Sequence, residues 1–349
     1  MSTGMKRFTK GCLLTALAAF ILGAAICSVG GLLGGFRQLE GLNIKGITGI
    51  PFRYHDGTDG IRYGFSWDDD WDDDVEWAKY KDWNRFDGTG GGTQLNLTAD
   101  TLRNLYIQAG ACELFVKESQ NDHVWLEING ADDNFRYHEE DGDTLRIVRR
   151  PDWVFWNWAR NQVDVVTKVY LYLPKDAYLN YLEVYFGAGN MESIELNARE
   201  AEVEVGAGVC TFDGLMVTDC MEINAGAGQI NIGKMDVNEV DIEAGVGQIY
   251  IENARVGDSA DVMVGVGEIK FYGIVHGNLD VECDLGNITM RMEDREKDHN
   301  YEIECSMGNV RVGNTTYTSL GETKDIYNGS NSTFDIECSL GNVNISFAQ

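Results

Sequence analysis

The chain has 349 residues, of which 28 are Lys or Arg and 56 are Asp or Glu, so its formal net charge is -28. That length accommodates one large or two small domains. The charge argues against nucleic acid as a partner, because binding phosphates requires clustered cations. It suits a cationic partner or bound metal ions, or simply keeps an exposed protein soluble.

An apolar segment lies close to the N-terminus. Residues 11–36, a run of 26, contain no charged side chain, and basic residues precede them at Lys6, Arg7 and Lys10. A helix needs roughly 20 residues to cross a bilayer, whereas the apolar part of a cleaved signal peptide has roughly 7 to 15. We therefore predict an uncleaved signal anchor: residues 1–10 in the cytoplasm, one transmembrane helix at 11–36, and everything after it outside the cell membrane.

Two alternatives concern the same segment. A lipoprotein is disfavoured, because no lipobox-like pattern of small residues precedes Cys12 or Cys27. Glycines four residues apart, such as Gly30 and Gly34, can bring two membrane helices together. We therefore expect contact with membrane lipid, and a homodimer stays open.

An acidic and aromatic stretch, residues 37–100, follows the apolar segment and reads as a juxtamembrane linker. Within it, Asp68, Asp70 and Asp72 copy the opening spacing of an EF-hand calcium loop. That loop also needs Gly at its sixth position and Glu at its twelfth, where this chain has Asp73 and Lys79. An EF-hand is therefore excluded.

A glycine recurs through the rest of the chain at intervals of 19, 20, 19, 20, 19, 22 and 33 residues. Self-similarity at about 20 residues predicts a solenoid, in which stacked coils share one core. The last two intervals indicate loop insertions near 293–300 and 313–333. We call these residues the pivot glycines: Gly189, Gly208, Gly228, Gly247, Gly267, Gly286, Gly308 and Gly341.

Positions around each pivot glycine alternate between apolar and polar residues, which is the pattern of strands with one buried face. Two strands are therefore predicted to meet at each pivot, where the chain needs a positive φ or a close backbone approach. A dinucleotide-binding loop is disfavoured, because a strand and not a helix follows the glycines at Gly226 and Gly228. The predicted fold class is an all-β, single-stack parallel β-solenoid. A third, short apolar edge is predicted at Leu196, Leu215, Met235, Ala254 and Ile274.

The solenoid domain is predicted to span residues 101–349, with an N-terminal β-hairpin lobe at about 117–180. "LYIQAGACELFV" at 105–116 aligns with "MEINAGAGQINI" at 221–232, which puts Cys112 in a pivot place and makes this segment the first coil. Within the lobe, Asp141-Gly142 is typical of a hairpin turn. An aromatic cluster in the lobe is either a local core or an exposed binding surface; it comprises Trp153, Phe155, Trp156 and Trp158.

Cys283, Cys305 and Cys338 each lie three positions before a pivot glycine, where the other coils have apolar residues. The column is therefore predicted to be interior, with the thiols acting as small hydrophobes. Adjacent coils lie about 4.8 Å apart, within disulfide range, so an oxidised pair is an open alternative. A zinc site is disfavoured, since the positions next to each cysteine point the other way.

An acidic residue lies six positions before every pivot glycine, on the predicted outer side of the strand. We call this column the acidic ladder: Glu183, Glu202, Glu222, Asp241, Asp261, Asp280, Glu302 and Asp335. Four positions before the pivots, Glu204, Glu243, Glu282, Glu304 and Glu337 add to the same side. Neither column contains Lys or Arg, although like charges on neighbouring strands are destabilising. Counterions, divalent cations such as calcium, or a cationic partner would each screen them.

The recurring strand, "GAG", "GVG" or "LGN" corner and strand, with the "VYLYLP" strand before them, resembles a bacterial family called putative adhesins, in the toastrack group of domains of unknown function. The resemblance covers roughly residues 100 to 349. It implies a cell-envelope domain, commonly tethered to a membrane segment and associated with envelope-stress or membrane-signalling proteins. It implies no catalytic residues.

An enzyme is disfavoured on the residues themselves. A polysaccharide-cleaving β-helix needs converging carboxylates, whereas these acids recur at one position per coil. The sequence contains no nucleophile elbow or P-loop, and its histidines show no metal-ligand spacing. We therefore expect a membrane-anchored interaction platform in envelope sensing or scaffolding, without a cofactor unless calcium binds the acidic ladder. A surface adhesin for host or polymer ligands is the alternative.

Overall fold

The computed structural model describes residue 80 and residues 82–85, 92–129, 134–149, 167–318 and 321–348. Within these residues the regular structure is 23 β-strands and a 3₁₀ turn at Glu296–Asp298. No helix in this part of the chain is long and apolar enough to span a bilayer. The predicted membrane helix at 11–36, most of the 37–100 linker and the aromatic cluster at 153–158 lie outside the described residues.

The strands are β1 Thr93–Thr98, β2 Asn104–Glu118, β3 His123–Ile128, β4 Phe135–Glu140, β5 Thr144–Arg149, β6 Lys168–Leu173, β7 Tyr178–Ser193, β8 Leu196–Val205, β9 Val209–Phe212, β10 Leu215–Val217, β11 Cys220–Ala225 and β12 Gln229–Ile232. The remaining strands are β13 Met235–Ala244, β14 Gln248–Val264, β15 Glu268–Val275, β16 Asn278–Cys283, β17 Asn287–Met292, β18 Asn300–Cys305, β19 Asn309–Val312, β20 Thr315–Tyr317, β21 Glu322–Ile326, β22 Thr333–Cys338 and β23 Asn342–Phe347.

Successive coils stack in parallel and in register, as the repeat predicts. Before the pivots, Ile223 pairs with Val203 on one side and with Ile242 on the other. After the pivots, the residues two positions on pair in the same way. We call the strand segments before the pivots the first layer and those after them the second layer.

The core lies between the two layers and is one continuous cluster of buried side chains. Inward positions are apolar in almost every coil, and Phe186, Phe212, Phe271 and Phe334 are fully buried within it. Each buried aromatic side chain contributes roughly 3 kcal/mol or more relative to alanine. The alternation of apolar and polar residues therefore becomes one shared core that no single coil could bury alone.

Gly267 shows why the corner requires glycine. A Cβ atom there would lie 2.1 Å from the carbonyl oxygen of Gly247, the pivot of the preceding coil. Among the pivots only Gly189 has a positive φ, of 106°. Of the two predicted reasons for glycine, close backbone approach is therefore the general one.

The order of coils in space differs from the chain order at the C-terminal end. The last strands, β22 and β23, lie between β16–β17 and β18–β19, so that Cys338 pairs with Cys283 on one side and with Cys305 on the other. The 313–333 insertion forms β20 and β21, which pair antiparallel with the outer edges of β19 and β18. The insertion therefore covers the edge that the sequence leaves open, and the final strand is internal.

A buried polar chain fixes this exchanged order. The Ser332 hydroxyl donates to the carbonyl oxygen of Gly277 at 2.5 Å and lies 2.7 Å from His299 Nδ1. His299 is 2% exposed, and its Nε2 lies 2.6 Å from a carboxylate oxygen of Asp294. Gly277, Ser332 and His299 lie just before β16, β22 and β18, which are three successive coils of the stack. These hydrogen bonds therefore join the coil of β22 to both of its neighbours.

At the N-terminal end, too, the order of coils in space differs from the chain order. β2 lies between β7 and the pair β5 and β6, and Cys112 pairs with Gly189 as the predicted pivot place requires. β5 and β6, which the sequence assigns to a hairpin lobe, thus form a further coil of the parallel stack. β4 pairs antiparallel with β5 through the predicted turn, where Asp141 and Gly142 have φ of 53° and 77°. β3 and β1 continue the second layer antiparallel.

The third edge holds for four of its five predicted residues. Leu196, Leu215, Met235 and Ala254 pair side by side. Ile274 is wrong: the register shifts after Ile251, Gly273 pairs with Ala254, and Val275 faces the core instead. The cause is a shorter corner in the later coil: only Tyr272 separates Phe271 from Gly273, whereas two residues separate Ile251 from Ala254.

Candidate functional site

The structure brings all eight residues of the acidic ladder into one column. Each is the direct strand partner of the next, in the order Glu183, Glu202, Glu222, Asp241, Asp261, Asp280, Asp335 and Glu302. Asp335 and Glu302 are exchanged relative to the chain order, because β22 lies between β16 and β18 in the stack. Carboxylates on neighbouring rungs are therefore about 4.8 Å apart along the stack.

The second acidic column lies two positions nearer the pivots on the same layer. Glu282, Glu337 and Glu304 are successive rungs of it, and Glu204 and Glu243 flank Asn224 in the coils before. From β7 to β18 neither column contains Lys or Arg. We call these two columns together the acidic face.

The acidic face has polar but few cationic partners. The Tyr181 hydroxyl donates to Glu202 at 2.8 Å, and the Asn224 amide donates to Glu222 at 2.7 Å. A cation stands at the N-terminal end, where Arg146 lies 3.8 Å from the ring centroid of Tyr106, the neighbour of Glu183 in the column. Glu202 and Glu222 thus accept hydrogen bonds from neutral groups.

Partial burial and mutual repulsion change the protonation of this face. Burial, and then repulsion by the carboxylates of Glu202 and Glu222, raises the pKa of Glu204 to about 7. Burial, Glu222 and Asp261 raise the pKa of Asp241 to about 6. Near neutral pH the face therefore retains protons that isolated carboxylates would release.

A groove of about 300 Å³ runs along the acidic face over the coils of β8, β11, β13 and β14. Glu202, Glu222, Asp241 and Asp261 line it, together with the ring of Tyr181. The groove is open and lined by carboxylates, unlike the enclosed apolar pockets that hold small molecules.

No three His, Cys, Asp or Glu side chains converge as metal ligands in the described part of the chain. A straight column offers each ion one or two carboxylates, whereas calcium takes six to eight oxygen ligands.

The cysteine column is interior, as predicted, and no disulfide joins Cys283, Cys305 and Cys338. The Cys283 thiol lies 3.2 Å from the carbonyl oxygen of Gly286 and would be 2.4 Å from a Cβ on Gly341 of the next coil. The Cys283 thiol therefore packs directly against a pivot glycine of the adjacent coil.

A further set of polar residues has the types found in a hydrolase triad: Asp294, His299 and Ser332. No sequence motif indicated this set. Their geometry does not serve nucleophilic attack. Ser332 is buried, and its hydroxyl donates to the backbone of Gly277 instead of facing a cleft. The three residues hold coils together.

A second feature that sequence reasoning missed is a row of apolar residues on the outside of the corner. Leu285, Leu340 and Met307, each just before its pivot glycine, are exposed. The signal was present, since the residue before each pivot is apolar in all eight coils.

Stacked coils with glycine corners, an enclosed apolar core and a one-sided acidic layer define a single-stack parallel β-solenoid. The chain belongs to the toastrack family: the family model described as Toastrack DUF4097 matches residues 102–346. No curated protein matches the chain.

Similar solved structures come from Parabacteroides, Bacteroides and Clostridium species. A "putative lipid binding protein" from Parabacteroides distasonis is 14% identical, with a TM-score of 0.39 over 76% of this chain and 100% of that one. A "putative adhesin" from Bacteroides fragilis is 14% identical, with a TM-score of 0.35 over 73% of this chain and 96% of that one. A "putative cell adhesion protein" from Clostridium sporogenes is 12% identical, with a TM-score of 0.27 over 74% and 99%. Similarity at this level carries no argument about ligand or activity.

Proposed function

We propose that this chain is a non-enzymatic, membrane-anchored β-solenoid that serves outside the cell membrane as an interaction platform in envelope sensing or scaffolding. The observation that carries the proposal is the acidic face, a charged surface whose repulsion no cation within its columns relieves. A partner that brings positive charge would relieve it.

The N-terminal sequence supports the membrane setting. Residues 11–36 are uncharged and long enough to cross a bilayer, and basic residues precede them.

The family is described as a domain of unknown function, so family membership assigns no chemistry to the chain. The acids form straight columns rather than a converging pair, which is why we propose display and not catalysis.

The test is crosslinking of the full chain in its own membrane, followed by identification of what it captures. One variant converts Glu202, Glu222 and Asp241 to their amides. The matched control converts three exposed acids of the second layer, Glu192, Asp213 and Glu252, with the same change in net charge. We expect membrane or envelope proteins that the wild type and the control capture and the first variant loses.

Capture of only host or polymer glycans would overturn the platform in favour of an adhesin. Equal capture by both amide variants would show that the acidic face is not the contact surface.

A further inference from the structure

The outside of the corner carries a continuous apolar row along the eight coils that have pivot glycines. In stack order the residues just before the pivots are Ala188, Ala207, Ala227, Val246, Val266, Leu285, Leu340 and Met307. The side chains grow from methyl groups at one end to Leu and Met at the other. The last three are 39%, 44% and 61% exposed, and we call these three residues the corner ridge.

The backbone holds the corner ridge outward. The amide nitrogens of Leu285, Leu340 and Met307 each donate to a carbonyl oxygen of the coil below, at 2.8, 2.7 and 2.8 Å. Each residue lies between two inward positions, the one three before the pivot and the pivot glycine itself. The exposure is therefore built into the corner and recurs on three adjacent coils, unlike a single exposed Leu.

The corner ridge borders the acidic face on the same three coils. Glu282, Glu337 and Glu304 lie three residues before the ridge positions, and only Asp284, Ser339 and Ser306 lie in the outward position between. An apolar edge thus runs beside two anionic columns. A surface of this kind complements a segment that has apolar side chains along one edge and basic side chains beside them.

We propose that the corner ridge and the acidic face together bind a cationic amphipathic helix of a partner protein, laid along the axis of the stack. This inference rests on the proposed platform function and names the partner's chemistry.

The spacing of the coils favours a helix over an extended peptide. Rungs of the acidic ladder repeat about every 4.8 Å. In a helix, residues three or four apart rise about 4.5 or 6 Å and lie on one face, so a basic residue can meet each rung. Same-side residues of an extended strand are about 6.6 Å apart and fall out of step after two coils. Eight rungs span about 34 Å, which is the length of a helix of about 22 residues.

The protonation of the acidic face gives the interaction a signature. Glu204 and Asp241 have raised pKa values of about 7 and 6. Cations docked on the face stabilise the ionised forms, so binding near pH 6.5 releases protons to the buffer. Apolar docking alone would release none.

The experiment titrates synthetic peptides of about 22 residues into the full chain in uncharged detergent, with empty micelles as the blank. One peptide places Lys every three or four positions along one helical face with Leu beside it. The other has the same composition with the order rearranged, so that Lys and Leu surround the helix. Calorimetry in two buffers of different ionisation enthalpy counts the protons.

The protein variants test the apolar part of the surface. The ridge variant combines Leu285→Ser, Leu340→Ser and Met307→Ser, and Tyr327→Ser, 85% exposed and outside the ridge, is the control. We expect the amphipathic peptide to bind with proton release, and both the rearranged peptide and the ridge variant to lose about tenfold or more in affinity. The control should bind like the wild type.

Equal binding of the two peptides to the wild type, or no loss in the ridge variant, would overturn the helix proposal. The platform itself would still stand if crosslinking in the native membrane depends on the acidic face. Conversely, ridge-dependent peptide binding without any such partner would leave the surface chemistry in place and remove the platform.

Discussion

The two layers of the solenoid share one backbone arrangement and differ in how they treat charge. On the second layer, Lys270 lies 3.0 Å from Glu268 and 4.7 Å from the ring centroid of Tyr250. Arg291 similarly covers Tyr272, at 4.8 Å. The acidic face repeats carboxylates on neighbouring rungs instead. Because the same stack accommodates compensated charges on its other side, the fold itself does not impose the acidic face.

The largest expected effect comes from breaking the corner that holds both layers in register. Gly267→Ala places a methyl group against the carbonyl of Gly247, and we expect a loss of about 3 kcal/mol or more in the free energy of unfolding. Ala227→Val is the matched control, because Val246 and Val266 already fill that position. Denaturant unfolding followed by far-UV circular dichroism measures both. A Gly267→Ala protein as stable as the control would refute close approach as the reason for the glycine.

The pH dependence of stability sharpens the difference between the layers. Glu204 and Asp241 have folded pKa values of about 7 and 6, above the ordinary 4.5 and 3.8. The folded state therefore binds more protons than the unfolded state between about pH 4 and 7, so stability falls as pH rises through that window. After allowance for solvent screening we expect a loss of about 2 kcal/mol between pH 5 and pH 8.

Melting temperatures in buffers of equal ionic strength check this sign. A melting temperature that rises from pH 5 to pH 8 would contradict repulsion on the acidic face. The second layer works weakly the other way, because Lys270 and Tyr250 hold the pKa of Glu268 below its usual value despite its partial burial.

Removing one charge from each layer compares them directly. Glu204→Gln deletes a carboxylate that repels its neighbours, so we expect a gain of about 1 kcal/mol at pH 8 and little change at pH 5. Glu268→Gln removes the partner of Lys270 and is expected to cost about 0.5 kcal/mol. Chemical denaturation of the two variants measures both values. Changes of the same sign at pH 8 would erase the distinction between the layers.

The smallest expected effect concerns calcium. Since the acidic ladder offers no convergent set of ligands, we expect the melting temperature to be the same in millimolar calcium and in chelator at fixed ionic strength. Magnesium at the same concentration is the control for general screening. A rise specific to calcium would restore the acidic ladder as a metal site.

Much of the fold was accessible from the sequence because its signals are periodic. The pivot glycines, the inward cysteines and the acidic ladder each occupy one fixed position per repeat, and the structure stacks each set into a column. Ile274 was misplaced because the coil of β15 has one residue fewer after Phe271 than the preceding coil has after Ile251, and the spacing of the pivot glycines does not reveal that difference.

The corner ridge was missed for a different reason. Its residues are apolar, and apolar side chains are ordinarily interior, so residue type alone does not mark them as exposed. Only the backbone hydrogen bonds of the corner turn Leu285 and Met307 outward. At a turn, the path of the backbone decides which side chains face outward, and a list of residue types at one repeat position does not specify that path.

By itself the sequence determined the coil, its period, its buried side and its acidic outer side, because these follow from local alternation and from the repeat. The tertiary structure decided which coils are neighbours. β2 and the pair β22 and β23 each lie one place inside the end of the stack. Every coil presents nearly the same strand edges to its neighbours. Backbone strand pairing alone therefore does not select one stacking order of the coils over another. Long-range contacts such as Ser332 with Gly277 and His299 do, and they join residues 55 and 33 positions apart in the chain.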